Sequence, residues 1–266
     1  MNTAARFRAA YAEHRAEEGR GQGGLVELLA LPYVHTGPLA RQWGVRARTF
    51  ARFVRTVLAP RERAGRALRV LDLGAGNGWL CYRVALRGHE CVAVDWRRDA
   101  VDGLGAGAPY LERLTTPFAR VAASFDALPL DAAFDVVVFN AAIHYATSLK
   151  TTLAQAIGVT GPGGQVVILD SPFYKRAGDG ERMVVEKRDA ATRQWGARAD
   201  ALLALPAIEY LTRERLAAAS EPLALIWRRH RVRYPWWYEA RPFLALLRGR
   251  RHPSRFDLWE ATVPAI

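Results

Sequence analysis

A glycine-rich turn directly after a short apolar run is the first part of the chain whose residue types could do chemistry. The turn reads Leu73-Gly74-Ala75-Gly76-Asn77-Gly78 and is preceded by Asp72. Gly74 and Gly76 lack a Cβ and let the backbone approach a ligand, and the predicted helix that follows offers free N–H groups. Dinucleotide-binding proteins use such a turn too, so the turn alone predicts a bound cofactor without identifying it.

A carboxylate at the predicted end of the next strand narrows the choice of cofactor. Asp95 stands seventeen residues beyond Gly78 and is followed by Trp96. A carboxylate in this place can accept hydrogen bonds from both hydroxyls of a ribose, and a flat indole ring beside it can cover an adenine. The two residues predict a ligand that contains adenosine.

Four segments in this order resemble the motifs of class I S-adenosylmethionine (SAM)-dependent methyltransferases, in particular small-molecule enzymes with a type 11-like domain. The segments are Val70–Gly78, Asp95, Phe134–His144 and Gly161–Leu169. A nicotinamide-binding turn would have a third glycine where this chain has Trp79. The acid at Asp72 suits the amino group of a methionine and would repel a pyrophosphate. The similarity covers residues 68–172.

The resemblance implies SAM as the cofactor, S-adenosylhomocysteine (SAH) as the product, and roles for individual residues. Asp72 would orient the methionine amino group, Asp95 would hold the ribose, and Trp96 would cover the adenine. Asn140 would face the sulfonium. Family members carry an Asp before a Leu-Pro pair at the adenine edge; here either Ser124 or Asp126 could serve. The predicted cofactor-binding residues are Asp72, Gly74, Ala75, Gly76, Asn77, Asp95, Trp96, Ser124, Phe125, Asp126 and Asn140.

The methyl acceptor is expected beside Asn140, because methyl transfer is an in-line displacement in which donor and nucleophile must be aligned. His144 and Tyr145 follow Asn140 closely enough to face the acceptor and are the candidate catalytic residues. A histidine there could remove a proton at neutral pH, or it could be a hydrogen-bonded structural residue. The residues leave both interpretations open.

Two absences narrow the class of acceptor. Enzymes that methylate exocyclic base nitrogens resemble one another in an Asp/Asn-Pro-Pro-Tyr/Phe segment, and here Asn140 is followed by Ala141-Ala142-Ile143. Cytosine C5 methylation needs a cysteine near the same loop, and Cys81 and Cys91 lie elsewhere. These absences disfavour DNA base methylation, so the leading hypothesis is an O-, N- or C-nucleophile on a small molecule, which could be apolar. The alternatives are an RNA methyltransferase and a non-catalytic binding protein with the SAM-dependent fold.

A basic and aromatic segment in the C-terminal third keeps other partners open. It comprises Trp227–Tyr238 and is followed by a second basic run at Arg248–His252. Such a segment could bind RNA, could lie on an anionic membrane, or could be an ordinary strand and helix with a solvated face. The net charge of +12 does not distinguish between these partners, because only three of the 38 basic residues are lysines. Arginine in an alanine-rich chain is typical of a GC-rich genome, so nucleic acid is the disfavoured partner.

The elements that must position these residues alternate between strand and helix. Phe134–Asn140 is apolar on both faces, which is typical of a central parallel strand covered by helices. This rhythm predicts an α/β fold with a doubly wound, mostly parallel, seven-stranded Rossmann-like sheet. The predicted strands are Leu68–Leu73, Glu90–Asp95, Phe118–Ala123, Phe134–Asn140, Gln165–Asp170, Leu223–Val232 and Phe256–Val263.

The remaining segments are predicted to be additions to this sheet. Residues 1–66 form a helical N-terminal extension or lid, with an amphipathic helix at Arg41–Leu58. Residues 67–266 form the methyltransferase domain, whose acceptor-side and C-terminal elements occupy 173–266. Helices are expected there at Arg182–Leu205 and at Trp236–Arg248, the latter interrupted at Pro242.

Composition indicates the cellular setting. The chain has no apolar run long enough to span a membrane, and its first twenty residues lack the apolar centre of a secretory signal. Cys81 and Cys91 fall in a predicted buried helix and strand, which supports neither a disulfide framework nor a metal site. A cytoplasmic protein is expected, and the oligomeric state is left open.

Overall fold

Seven strands form one sheet in the computed structural model, which describes residues 3–131 and 133–264. Their order is β3-β2-β1-β4-β5-β7-β6; β1 to β5 are parallel, and β7 pairs antiparallel with both β5 and β6. The predicted α/β fold with a mostly parallel, seven-stranded sheet is confirmed. The strands are β1 (Arg69–Leu73), β2 (Glu90–Asp95), β3 (Ala119–Ala122), β4 (Phe134–Asn140), β5 (Thr160–Leu169), β6 (Trp227–His230) and β7 (Leu258–Thr262).

Helices precede, connect and follow these strands. A π-helical turn at Val54–Leu58 joins α3 to α4. In the part of the chain that the structure describes, no helix is long and apolar enough to cross a membrane. The helices are α1 (Thr3–Glu17), α2 (Gly24–Ala30), α3 (Ala40–Phe53), α4 (Ala59–Arg63), α5 (Trp79–Ala85), α6 (Ala108–Leu111), α7 (Leu149–Gly158), α8 (Ala177–Trp195), α9 (Ala197–Leu202), α10 (Arg213–Ser220), α11 (Trp236–Glu239) and α12 (Arg241–Leu247).

The central strand β4 is apolar throughout because helices cover both faces of the sheet. Successive side chains of a strand point to opposite faces. Val136 and Val138 belong to a buried cluster with residues of α3 and α5, whereas Val137 and Phe139 belong to a second cluster with residues of α7 and α10. Burial on both sides fixes the strand, and with it the position of the residue at its carboxyl end.

Two predicted helices have different boundaries. The helix predicted at Arg182–Leu205 is wrong as one element: α8 begins earlier and ends before Gly196, whose φ of +52° breaks the helix, and α9 follows. The interruption predicted at Pro242 falls instead at Ala240, between α11 and α12. Pro242 lies in the first turn of α12, where a missing backbone N–H breaks no hydrogen bond.

Two strands also differ from prediction. The strand predicted at Leu223–Val232 is shortened to β6, because a 3₁₀ turn ends at Leu223 and Ala224 has a φ of +53°. The fifth strand is longer than predicted. Its pairing with β4 passes from Phe134–Thr160 to Val136–Gln165, so residues 161–164, which precede the predicted strand, form a bulge within β5.

Candidate functional site

A cavity of about 860 Å³ lies at the carboxyl ends of the parallel strands. In doubly wound sheets ligands bind at this edge, where the strand order reverses, and here that point lies between β1 and β4. Asp72 is the predicted site residue that does not line the cavity. The others all do: Gly74, Ala75, Gly76, Asn77, Asp95, Trp96, Ser124, Phe125, Asp126, Asn140, His144 and Tyr145.

Asp95 ties the glycine turn to the end of β2. Its Oδ2 accepts a hydrogen bond from the Gly76 N–H at 2.8 Å, and its Oδ1 accepts one from the Arg97 N–H at 2.8 Å. Each carboxylate oxygen can accept a second hydrogen bond. Burial raises the pKa of Asp95 above its usual value, although these two N–H groups counteract the effect. The residue therefore combines a fixed orientation with spare acceptor capacity at the cavity.

Asp72 is fully buried beneath the turn. Its Oδ2 lies 4.0 Å from the Cys81 Sγ, and its Oδ1 has no hydrogen-bond partner within the described residues. Burial, and then the nearby Asp95 carboxylate, raise the pKa of Asp72 to about 8. The carboxyl is therefore mostly protonated at neutral pH in this state. Asp72 does not line the cavity, so its contact with a methionine amino group stays a prediction that requires a bridging water.

Gly74 is required by the protein itself as well as by ligand approach. Its φ is +78°, which disfavours other residues, and a Cβ at this position would collide with the Cβ of Ala142. The loop after β4 therefore packs directly on the turn after β1. This contact sets the spacing between the turn and Asn140.

The two residues that the sequence left as alternatives for the adenine edge, Ser124 and Asp126, are both in the cavity lining. The Asp126 carboxylate accepts hydrogen bonds from the hydroxyls of Thr147, at 3.1 Å, and of Thr152. The Ser124 Oγ accepts one from the Asp126 N–H at 3.2 Å. Asp126 thus fastens this loop to the start of α7, while both residues line the cavity. The structure keeps both as candidates.

Three of the cavity-lining residues at or after the ends of β4 and β5 carry an unpaired polar atom. Asn140 Oδ1, His144 Nδ1 and Asp170 Oδ1 are buried and have no hydrogen-bond partner in residues 3–131 and 133–264. Buried polar atoms almost always have a partner, so three together indicate a place for a polar ligand. Burial lowers the pKa of His144 to about 3, so it is neutral at pH 7 but weakly basic. Its proposed role as a general base stays a prediction.

Asp170 was missed by the sequence analysis. It follows β5 directly, lines the cavity, and has a φ of +49°, a strained conformation for a residue other than glycine. Burial raises the pKa of its carboxyl, and the charge of Arg46 partly offsets the effect. Its position at the carboxyl end of a predicted strand was the available signal.

Two arginines that line the cavity beside Trp43 were also missed. The guanidinium carbons of Arg20 and Arg46 lie 5.4 and 5.1 Å from the centre of the Trp43 ring. Burial and then the charge of Arg46 lower the pKa of Arg20 to about 10. Arg46 forms no ion pair with any described residue. The sequence predicts an amphipathic helix here, and arginine on such a helix normally faces water, so no local pattern distinguishes Arg46.

The far wall of the cavity is apolar. It is built by α8, α9 and the loop that follows them, with one ion pair in which Lys187 Nζ lies 2.6 Å from Glu209 Oε2. The apolar residues of this wall are Ala190, Ala191, Trp195, Leu202, Leu203, Leu205, Pro206 and Ala207. Within the described residues no cluster of His, Cys, Asp and Glu could hold a metal ion.

Helix α1 crosses the mouth of the cavity and contacts both sides. Phe7 stacks on Trp96 with ring centres 5.5 Å apart, and the Tyr11 hydroxyl donates to the Tyr145 hydroxyl at 3.2 Å. Arg15 pairs at 2.7 Å with Asp102, in the loop after β2. These contacts place α1 as a cover, with Phe7 occupying one face of the ring predicted to receive the adenine.

Most of the basic and aromatic segment is committed to internal contacts. Arg229 pairs with Asp257 at 2.6 Å, and the Trp227 Nε1–H donates to the Ser220 Oγ at 2.7 Å. Tyr234 and Tyr238 are buried. The segment therefore forms an ordinary strand and helix over much of its length.

Comparison with known proteins finds a family model described as "Methyltransferase domain" that matches residues 43–221. A malonyl-[acyl-carrier protein] O-methyltransferase from Erwinia pyrifoliae is 33% identical over 111 residues, which cover 41% of this chain and 40% of that protein. This chain spans less than half the length of the curated relatives that it matches.

Solved structures share the fold at low identity. YcgJ from Bacillus subtilis superposes with a TM-score of 0.52 at 14% identity and covers 74% of this chain and 92% of its own. The N-methyltransferase NodS from Bradyrhizobium japonicum, solved with SAH, superposes with a TM-score of 0.50 at 15% identity and covers 86% of this chain and 89% of its own.

Proposed function

Since this chain belongs to the class I SAM-dependent methyltransferases, we propose that it transfers the methyl group of SAM to a small molecule in the cavity. The observation that carries the proposal is the meeting of three elements at one edge of the sheet: the turn Gly74–Asn77, Asp95 and Asn140. SAM supplies a methyl group activated by a positive sulfonium. The protein must hold this group in line with the acceptor and keep water away.

The residues around the cavity fit the chemical parts of SAM. The spare acceptor capacity of Asp95 suits the ribose hydroxyls, and the rings of Trp96 and Phe125 suit the adenine. The guanidinium of Arg46 suits the methionine carboxylate, since it forms no ion pair with any described residue, whereas Arg20 Nε already lies 3.8 Å from Glu18 Oε2. The unpaired Asn140 Oδ1 suits the positively charged sulfonium.

The far wall supports an apolar acceptor, because α8 and α9 present mainly alanine, leucine and tryptophan side chains to the cavity. A nucleophile that carries a proton would need a base. His144 is neutral at pH 7 but weak, because burial lowers its pKa to about 3. Asp170, whose backbone is strained and whose Oδ1 has no partner in the described residues, is therefore a third candidate beside His144 and Tyr145.

Calorimetric titration with SAH tests the cofactor part of the proposal. Wild-type protein should bind SAH and not NADH. Asp95→Asn should weaken SAH binding at least roughly tenfold, because a charged acceptor of two hydrogen bonds is lost. Asp189→Asn is the matched control, since Asp189 is exposed on α8 and does not line the cavity. Absence of SAH binding, or equal binding by Asp95→Asn and wild type, would contradict the proposal.

The proposal also includes the cellular compartment in which the protein acts. Cys81 and Cys91 are buried free thiols, and we expect them to remain reduced in the cytoplasm. The RNA methyltransferase and the non-catalytic binding protein remain alternatives. Methylation of RNA that falls steeply with added salt would favour the first, and SAH binding without turnover on any acceptor would favour the second.

A further inference from the structure

The short helices α11 and α12 carry a cluster of exposed apolar side chains. Trp236 is 81% exposed, Phe243 62%, Leu246 76% and Leu247 67%. Phe243, Leu246 and Leu247 are spaced by three and four residues, so they lie on one side of α12. Large apolar side chains exposed together generally mark a surface that binds something. We name this surface the α11–α12 face.

The opposite side of the same helices is fixed to the protein and reaches the cavity. The Tyr238 hydroxyl accepts a hydrogen bond from the Phe256 N–H at 3.1 Å. The guanidinium carbon of Arg241 lies 3.5 Å from the centre of the Tyr238 ring, and its Nη2 donates to the Ser254 carbonyl at 2.8 Å. Tyr238 and Arg241 line the cavity together with Trp237. The two helices are thus a wall with the cavity on one side and the apolar side chains on the other.

Arginines without acidic partners flank the apolar side chains at both ends. Arg233 precedes α11, and Arg248 and Arg250 follow α12. All three are exposed. In the described part of the chain none of them forms an ion pair, in contrast to Arg231, which lies 3.5 Å from Glu239. The edge of the α11–α12 face is therefore positively charged.

We propose that the α11–α12 face docks on an anionic lipid membrane. Acidic headgroups would meet the flanking arginines, while Trp236 and the apolar residues of α12 would enter the boundary between headgroups and acyl chains. The net charge of +12 adds long-range attraction to such a surface. RNA would satisfy the arginines but leave Phe243, Leu246 and Leu247 exposed to water. Docking would bring one wall of the cavity against the lipid. Any effect of this position on the route by which an acceptor reaches the cavity rests on the proposed function.

Vesicle flotation tests the docking with the full chain. We expect wild-type protein to bind vesicles that mix phosphatidylcholine with phosphatidylglycerol, roughly tenfold more tightly than vesicles of phosphatidylcholine alone, and to be released by added salt. Leu246→Ser with Leu247→Ser should weaken binding roughly tenfold, because two side chains no longer enter the bilayer. The control is Val26→Ser with Val185→Ser, which removes exposed apolar side chains from α2 and α8 and should bind as wild type does.

Several results would overturn the docking proposal. They are no binding to anionic vesicles, equal binding to both vesicle types, or equal binding by the leucine variant and wild type. A wild-type dimer that becomes monomeric in the leucine variant, without vesicle binding, would assign the face to a second copy of this chain instead. SAH titration of the leucine variant should match wild type, which excludes unfolding as the cause. Vesicle binding by a protein that fails to bind SAH would contradict the proposed function alone.

Discussion

Replacing Asp72 by asparagine should remove a pH dependence of folding stability that the buried carboxyl creates. Burial, and then the Asp95 carboxylate, raise the pKa of Asp72 from 3.8 to about 8 in the folded protein. The folded state therefore binds the Asp72 proton more tightly than the unfolded chain does. The resulting stabilisation is fully present below pH 3.8 and is lost as the pH rises through about 8.

The two pKa values of Asp72 set the expected size of the effect. Between them each pH unit removes about 1.4 kcal/mol from the free energy of unfolding, and the slope halves at the folded pKa. From pH 6 to pH 8 the loss is thus about 2 kcal/mol. Asparagine matches the shape of the buried side chain but does not ionise. Its unpaired amide N–H lowers stability by an amount that is the same at every pH, so Asp72→Asn should lack the slope.

Urea unfolding at pH 6, 7 and 8, followed by tryptophan fluorescence, measures this difference. His144 changes the free energy of unfolding in the opposite direction, because its folded pKa of about 3 lies below the unfolded value of 6.5. The destabilisation caused by burying His144 therefore becomes smaller as the pH rises. This contribution is present in wild type and variant alike and cancels in their difference. Asp189→Asn, on the exposed side of α8, should follow wild type. Parallel stability curves for wild type and Asp72→Asn would refute the reasoning.

Two further perturbations test the glycine turn after β1 and the helix α1 that covers the cavity. Gly74→Ala should lower the free energy of unfolding by about 1–3 kcal/mol more than Gly88→Ala does, because Gly88 has a similar positive φ but nothing within 4 Å of the new Cβ. Adding Ala142→Gly to Gly74→Ala should remove this excess loss. Equal losses for Gly74→Ala and Gly88→Ala in urea unfolding would contradict the packing argument. Arg15→Gln breaks the ion pair that holds α1 to the loop after β2, so SAH should dissociate roughly tenfold faster in stopped-flow measurements. Arg6→Gln on the same helix should leave the dissociation rate unchanged. Equal dissociation rates for wild type and Arg15→Gln would mean that α1 does not cover the bound cofactor.

The sheet and the floor of the cavity could be predicted because their signals are local. A strand such as β4, covered on both faces, must be apolar throughout, and a tight turn after β1 must contain glycine. Asp95 was identified because it stands at the end of a predicted strand. The same rule would have found Asp170, whose place directly after β5 was overlooked.

The upper part of the site could not be predicted because its contacts join residues far apart in sequence. The stacking of Phe7 on Trp96 joins residues 89 positions apart, and the Tyr11–Tyr145 hydrogen bond joins residues 134 positions apart. Arg46 belongs to an amphipathic helix in which arginine normally faces water. Nothing in the local pattern shows that α3 turns this guanidinium toward the cavity.

The position of β6 at the edge of the sheet has a consequence for synthesis. Within the described residues β6 pairs with β7 alone, and β7 begins 28 residues after β6 ends, so the ribosome makes β6 well before its neighbour. During that interval the strand has backbone groups free to pair with another chain. Two of its four residues, Arg228 and Arg229, are exposed arginines, and charged side chains on an edge strand oppose such pairing. These arginines should therefore oppose pairing with another chain during synthesis, and they continue to do so at the free edge of the finished sheet.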